Sequence, residues 1–158
     1  MHNQKRTGIS VALIALSIST PLSTYAEVTE SSSLDFGTIV VASNSSVQRL
    51  SLSYNGNVSY SSGIYPITEP TRAEFILTGY PNDQRVFLSS SVSTPNSSST
   101  GYTVEQFTLT DLSVPAVITT DSSGSASFYV GGTLTTSGNS GYYGDTAYSI
   151  TYRVSINY

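Results

Sequence analysis

Few residues in this chain could do chemistry, and their spacing assembles little. The sole His is His2, beside Lys5 and Arg6 at the start, and there is no Cys. A serine nucleophile needs a neighbouring base, and beyond the first residues the chain offers neither His nor Lys. Paired carboxylates could hydrolyse a glycoside. Here Glu69, Glu74, Asp83, Glu105, Asp111, Asp121 and Asp145 are scattered. Asp111, Asp121 and Asp145 could offer oxygen to calcium, but the dense Asp-x-Asp spacing of a calcium loop is missing. Asp121-Ser122-Ser123-Gly124 reads more simply as a turn held by its carboxylate. The expectation is a non-enzyme with no catalytic residue, no metal site and no cofactor.

Aromatic residues remain. Tyr142 and Tyr143 stand between Gly141 and Gly144. A Tyr ring offers a flat apolar body with a polar tip, so this pair could form a platform for sugar. Equally, the segment could be a tight connection whose rings cover the end of the core. Three Asn-x-Ser sequons, at Asn44, Asn57 and Asn96, arise easily in a Ser- and Asn-rich chain and are given no role.

Composition sets the compartment and the class. A basic start, an apolar run from Gly8 to Ser17, Pro21 and a small-x-small site at Thr24-Tyr25-Ala26 read as a secretory signal peptide over residues 1–26. Residues 27–158 are then the exported domain, one domain by size. It carries four arginines, Arg49, Arg72, Arg85 and Arg153, against ten carboxylates, a net charge of −6. Nucleic acid and anionic membrane surfaces both select a basic patch, so neither is expected as a partner. The apolar leader run is shorter than the roughly 20 residues of a membrane-spanning helix, and no later run approaches that length. No transmembrane helix is expected after signal cleavage. The absence of Cys removes disulfide scaffolds and thiolate zinc sites.

The elements that must position any site read as strands. Glu27 to Ser33 is polar and expected to be mobile. Strands are expected over Leu34 to Val41 and Val47 to Tyr54, the second joined by Asn55-Gly56 to an alternating run with Val58 and Tyr60. Asn-Gly between alternating runs is the strongest short hairpin signal. Further strands are expected at Ala73 to Thr78, Arg85 to Ser89, Tyr102 to Leu109, Asp111 to Thr119 (weakened by Pro115) and Ser125 to Thr135. Ser89 to Gly101, rich in Ser, Thr, Pro and Asn, is expected to be a long exposed loop. No window has helical periodicity.

The last stretch alternates most strictly. Tyr148, Ile150, Tyr152, Val154, Ile156 and Tyr158 are large and apolar or aromatic, and Ser149, Thr151, Arg153, Ser155 and Asn157 stand between them. Successive side chains of a strand point to opposite faces, so one face is buried and one wet. At about 3.3 Å per residue the strand is roughly 36 Å long, the height of a sandwich. Tyr158 on the apolar face implies that this end is pinned. Together the strands predict an all-β fold, a single antiparallel immunoglobulin-like β-sandwich of seven to nine strands.

Four local patterns recur in order: Leu34-Asp35-Phe36-Gly37; Phe75-x-Leu77-Thr78-Gly79-x-Pro81-Asn82; Tyr129-Val130-Gly131-Gly132-Thr133-Leu134; and Gly141-x-Tyr143-x-Asp145 before the closing strand. With these the chain resembles the small secreted bacterial proteins called domain of unknown function 4402. The resemblance covers nearly all of residues 27–158 and implies an immunoglobulin-like sandwich exported by Gram-negative bacteria. More loosely, the pattern resembles chaperone–usher pilin and spore-coat subunits. Such pilins carry an N-terminal run of alternating apolar residues that completes a neighbour's sheet. Between the expected cleavage site and Leu34 this chain has only Val28 as an apolar residue.

The leading functional expectation is a secreted structural or adhesion subunit, fimbrial-like, in the periplasm, at the cell surface or outside the cell. It would act through protein partners or self-association, with Tyr142, Tyr143, Tyr148, Ile150, Tyr152, Val154, Ile156 and Tyr158 as binding or assembly residues. The first alternative is a surface glycan-binding module using exposed Tyr. The second is a small outer-membrane β-barrel, which would need repeated alternating segments of about 10 residues. Only Tyr148 to Tyr158 meets that standard.

Overall fold

The computed structural model describes residues 25–99 and 105–158. Residues 1–24 of the expected leader and 102–104 of the strand expected over Tyr102 to Leu109 lie outside the described residues. Among the described residues there are eleven strands and no helix. They are β1 (Glu27–Ser32), β2 (Ile39–Val41), β3 (Arg49–Leu52), β4 (Val58–Tyr60), β5 (Ile64–Pro66) and β6 (Ala73–Thr78). After them come β7 (Arg85–Ser99), β8 (Thr108–Ser113), β9 (Val117–Thr119), β10 (Ala126–Thr135) and β11 (Tyr148–Asn157). The all-β antiparallel class is as the alternation predicts, with more strands than the seven to nine expected.

Nine strands share one ladder, in the order β1-β6-β10-β8-β7-β11, with β3 and β4 branching from β10 and β9 from β7. The small β2–β5 pair stands apart. β10 is the spine. Its first half, Ala126 to Val130, pairs with β6, and from Gly131 onward it pairs with β8 and β3 instead. This change of partners lets the sheet turn over on itself into a sandwich-like arrangement. Leu77 and Val130 from one wall meet Val86, Leu88, Val154 and Ile156 from the other. Fully burying such a side chain stabilises by about 1.5–3 kcal/mol. A second apolar cluster, around Leu50, Ile64, Phe107 and Leu134, fills the other end.

The hairpin signal is realised: β3 and β4 pair across Asn55-Gly56, with Gly56 at φ 89°. Ala73, Phe75 and Leu77 share one face of β6, and Val86 and Leu88 are buried while Arg85 and Phe87 are exposed.

Three expectations are corrected. Glu27 to Ser32 is not loose but forms β1 on the edge of β6. A ladder is made of backbone groups, so six exposed side chains do not prevent it. The strand expected from Leu34 survives only as β2, plus an isolated bridge from Asp35 to Thr71. Gly37 interrupts it in the left-handed region at φ 73°, where a Cβ would collide with the Thr68 carbonyl. The loop expected from Ser89 is strand as far as Ser99, because β7 follows β11 along its whole length. The register slips between Ser149 and Thr151, opposite Pro95, and a bulge is where a strand tolerates Pro. Polarity misleads here: Ser89, Ser91 and Ser98 lie exposed along the strand, and the hydroxyls of Ser98 and Ser149 bond each other at 3.0 Å.

Candidate functional site

β11 shows the expected alternation, but none of its residues is fully buried: Tyr148, Ile150, Tyr152, Val154 and Ile156 are half-buried and the residues between them exposed. The cause is topological. β11 pairs with β7 on one side, and among the described residues the ladder ends there. At the opposite end, among the described residues, β1 pairs only with β6. The two end strands do not pair with each other, so a furrow of about 520 Å³ runs between them. Its walls include Val28 and Glu30 of β1 and, from β11, Ile150, Tyr152, Val154 and Ile156 with Thr151 and Arg153 at the edge between them. The rings of Phe75 and Phe128, stacked with centroids 5.3 Å apart, form part of its lining. A smaller cleft of about 250 Å³ continues it past Leu34 and Phe36 to Tyr148.

Tyr152 lines both spaces. Its hydroxyl is buried, and no group among the described residues meets hydrogen-bond geometry with it. Burial, reinforced by the Glu30 charge, pushes its pKa up to about 12, and the nearby Leu34 backbone opposes the shift. A raised folded-state pKa favours the neutral phenol. The stability it contributes is present below the usual value near 10 and is lost as pH climbs from 10 to 12. Because the residue is only half-buried, screening limits the loss to about 1 kcal/mol. Tyr152→Phe removes an unsatisfied hydroxyl, which costs roughly 1 kcal/mol or more when buried. We expect that variant to melt at or above the parent temperature at pH 7, and to lose less stability than the parent between pH 10 and 12. Thermal scans at both ends of that range check it.

The two tyrosines of Gly141 to Gly144 part company. Tyr143 turns inward. Its hydroxyl accepts the Ser137 N–H at 2.9 Å and donates to the Gln106 carbonyl at 3.1 Å, and its ring lies 4.4 Å from Phe107. Tyr148 also packs on Phe107, at 4.9 Å, and its hydroxyl donates to the Gly144 carbonyl at 3.2 Å. Both serve the core. Tyr142 is 74% exposed, at a cleft of about 720 Å³ lined also by Thr38, Val40, Ile67 and Asp145. Tyr158 lies one residue past β11 and is 63% exposed, its ring edge-on to Tyr80 at 4.7 Å. That ring contact and the pairing of Asn157 with Phe87, rather than burial, hold this end.

The carboxylates stay dispersed. Among the described residues no three His, Cys, Asp or Glu side chains gather as a metal would need. Asp121 accepts bonds from the Ser123 hydroxyl and from the Ser123 and Ser125 N–H groups, which holds it below the usual carboxylate range, as a turn residue. Sequence reasoning missed Asn44. It is buried, donates to Ser137 Oγ and the Gly141 carbonyl, both at 3.0 Å, and accepts the Gly138 N–H at 2.8 Å. It thereby ties the Gly-rich connection before β11 to the segment before β3. Asn44→Ala leaves these groups without their partner and should cost about 1–3 kcal/mol in urea denaturation.

A sandwich-like antiparallel domain with an open furrow beside its last strand is the class that fold and site define. The chain belongs to the family described as Domain of unknown function (DUF4402), which matches residues 26–158. Comparison with curated proteins and with solved structures gave no match.

Proposed function

We propose that this domain is an exported, non-catalytic structural subunit that works through protein–protein contact in the periplasm or at the cell surface. The observation that carries the reading is β11, whose apolar face is half-buried and whose outer edge has no strand beside it among the described residues. A strand edge presents a row of unpaired N–H and C=O groups and is a template for pairing with another chain. Natural proteins cover or blunt such edges, and this one adjoins an apolar furrow. Asp121 holds a turn and Glu105 accepts a bond from the Asn139 amide, roles that support a non-catalytic reading. A membrane barrel needs its ladder closed, whereas β1 and β11 do not pair.

The test is fractionation of the native cell into periplasm, membrane and sheared surface material, followed by cross-linking. The reading expects the protein in periplasm or surface material, cross-linked to itself or to another protein. Cytoplasmic protein, or a monomer in every fraction, would end it.

One observation favours a second reading, a glycan-binding module: the Tyr142 ring is exposed at a roomy cleft. On a glycan array that reading expects binding to be lost in Tyr142→Ala. Tyr143→Ala should instead lower stability, since its hydroxyl and ring are engaged inside. An array with no binding removes the glycan reading.

A further inference from the structure

We propose that the furrow between β1 and β11 receives an extended strand from a partner protein, one that alternates large apolar residues and carries a Lys or Arg where it passes Glu30. The proposal rests on the protein-contact reading above and gives the partner its chemistry.

Backbone, floor and charge each constrain the occupant. Among the described residues β11 has a strand only on its β7 side, so its other edge offers alternate N–H and C=O groups along Ile150 to Ile156. An aliphatic ligand would fill the space and leave those groups unanswered. A strand answers them and continues the ladder beyond β11. Seven residues of extended chain cover roughly 23 Å, so a short segment suffices.

The lining explains the alternation. Phe75, Phe128, Val154 and Ile156 face the furrow, so every second side chain of an incoming strand would meet apolar surface. The residues between would point outward beside Thr151 and Arg153, which border the same furrow while the β11 alternation leaves them exposed.

Charge and hydrogen bonding complete the description. Glu30 lies opposite Phe75 in the β1–β6 register, so its carboxylate is on the inner, furrow side of the sheet. An acid on the inner side of an edge strand rejects a wholly apolar partner and accepts one with a matching cation. Residues 27–158 carry ten carboxylates against four arginines, so a basic segment is favoured at long range as well. The Tyr152 hydroxyl, buried between the two clefts beside the Leu34 backbone, meets no acceptor among the described residues and is placed to donate to a backbone carbonyl of the occupant. A second copy of this chain fits less well: its strictly alternating strand, β11, has Arg153 on the polar side rather than among the apolar residues.

The experiment uses the folded domain, residues 27–158, and labelled nine-residue peptides that alternate Ile and Thr. In one peptide a Lys replaces a central Ile, and in another a Glu does. Two further Lys peptides are N-methylated, each on one alternate set of amides. Binding is followed by fluorescence anisotropy and by amide NMR shifts. The Lys peptide should bind with a Kd below about 1 mM and shift β11 amides. Methylation of one set should abolish binding and of the other leave it, since a strand bonds its neighbour through alternate amides. Glu30→Arg, at an exposed position, should weaken the Lys peptide about fivefold and strengthen the Glu peptide.

Absence of binding, equal tolerance of both methylation patterns, or shifts away from β11 would overturn the proposal. So would a dimer of the domain whose interface protects β11, because the occupant would then be a second copy. The two readings fail separately. Native material that cross-links through other surfaces while no peptide binds would leave the protein-contact reading standing without the furrow.

Discussion

Deleting Val154 to Tyr158 abolishes the cooperative unfolding transition of the domain. The deletion removes the strand pairing with Ser90, Ser89, Leu88 and Phe87, and with it the half-buried Val154 and Ile156. It also removes the Tyr158 ring from Tyr80. Half-burial of an aliphatic side chain contributes about 1 kcal/mol, half the range for full burial. Ladder hydrogen bonds add about 1 kcal/mol each. The sum is roughly 5 kcal/mol or more, against a net stability of about 5–15 kcal/mol for a typical domain. It also exposes the inner edge of β7 beside buried Val86 and Leu88, so we expect aggregation as well as unfolding. A synthetic peptide spanning Ala147 to Tyr158, added in trans, should restore part of the transition. Arg153→Ser, on the exposed face, should stay within about 0.5 kcal/mol of the parent. A truncated protein with an unchanged thermal midpoint would show β11 to be dispensable.

Gly131→Val is expected to be as damaging from a single side chain. Gly131 sits where β10 leaves β6 and joins β8 and β3. A Cβ at that point would collide with the Leu52 carbonyl oxygen, a backbone atom that cannot swing aside. Gly132 is tight too, with the Asp111 carbonyl oxygen and Leu109 Cδ1 each 3.0 Å from where its Cβ would be. Overpacking a full site costs about 1–3 kcal/mol when side chains can move and more when they cannot. We therefore expect Gly131→Val to lose about 3 kcal/mol or more in urea denaturation. Ser127→Ala, on the exposed side of the same strand, should lie within about 0.5 kcal/mol. Wild-type stability in Gly131→Val would mean that β3 does not approach β10 this closely.

These two positions show what the sequence could and could not convey. The period-2 alternation of β11 and the Asn55-Gly56 turn were legible because local chemistry decides them. The Gly131-Gly132 pair stood out as a motif, but its reason, the close approach of Leu52, is a tertiary fact. β1 and the second half of β7 were illegible for a shared cause. Edge pairing and wet-face pairing are backbone events, and residues such as Ser32 or Ser98 can join them without any apolar signal. The candidate site was half legible. Alternation identified the face formed by Ile150, Tyr152, Val154 and Ile156, but not the furrow, which depends on β1 and β11 ending the ladder unpaired. Nor could spacing separate Tyr142 from Tyr143, since adjacent residues differ only in which way the chain turns them.

The central claim is that β11 keeps an open edge until a partner covers it. Amide hydrogen exchange read residue by residue over Tyr148 to Asn157 tests it most directly. In the isolated domain, exchange should alternate: amides bonded to β7 slow, those facing the furrow fast. In cross-linked material recovered from the cell, the fast set should become slow. Uniform protection along β11 in the isolated domain, or a fast set that stays fast in the assembled material, would contradict the account.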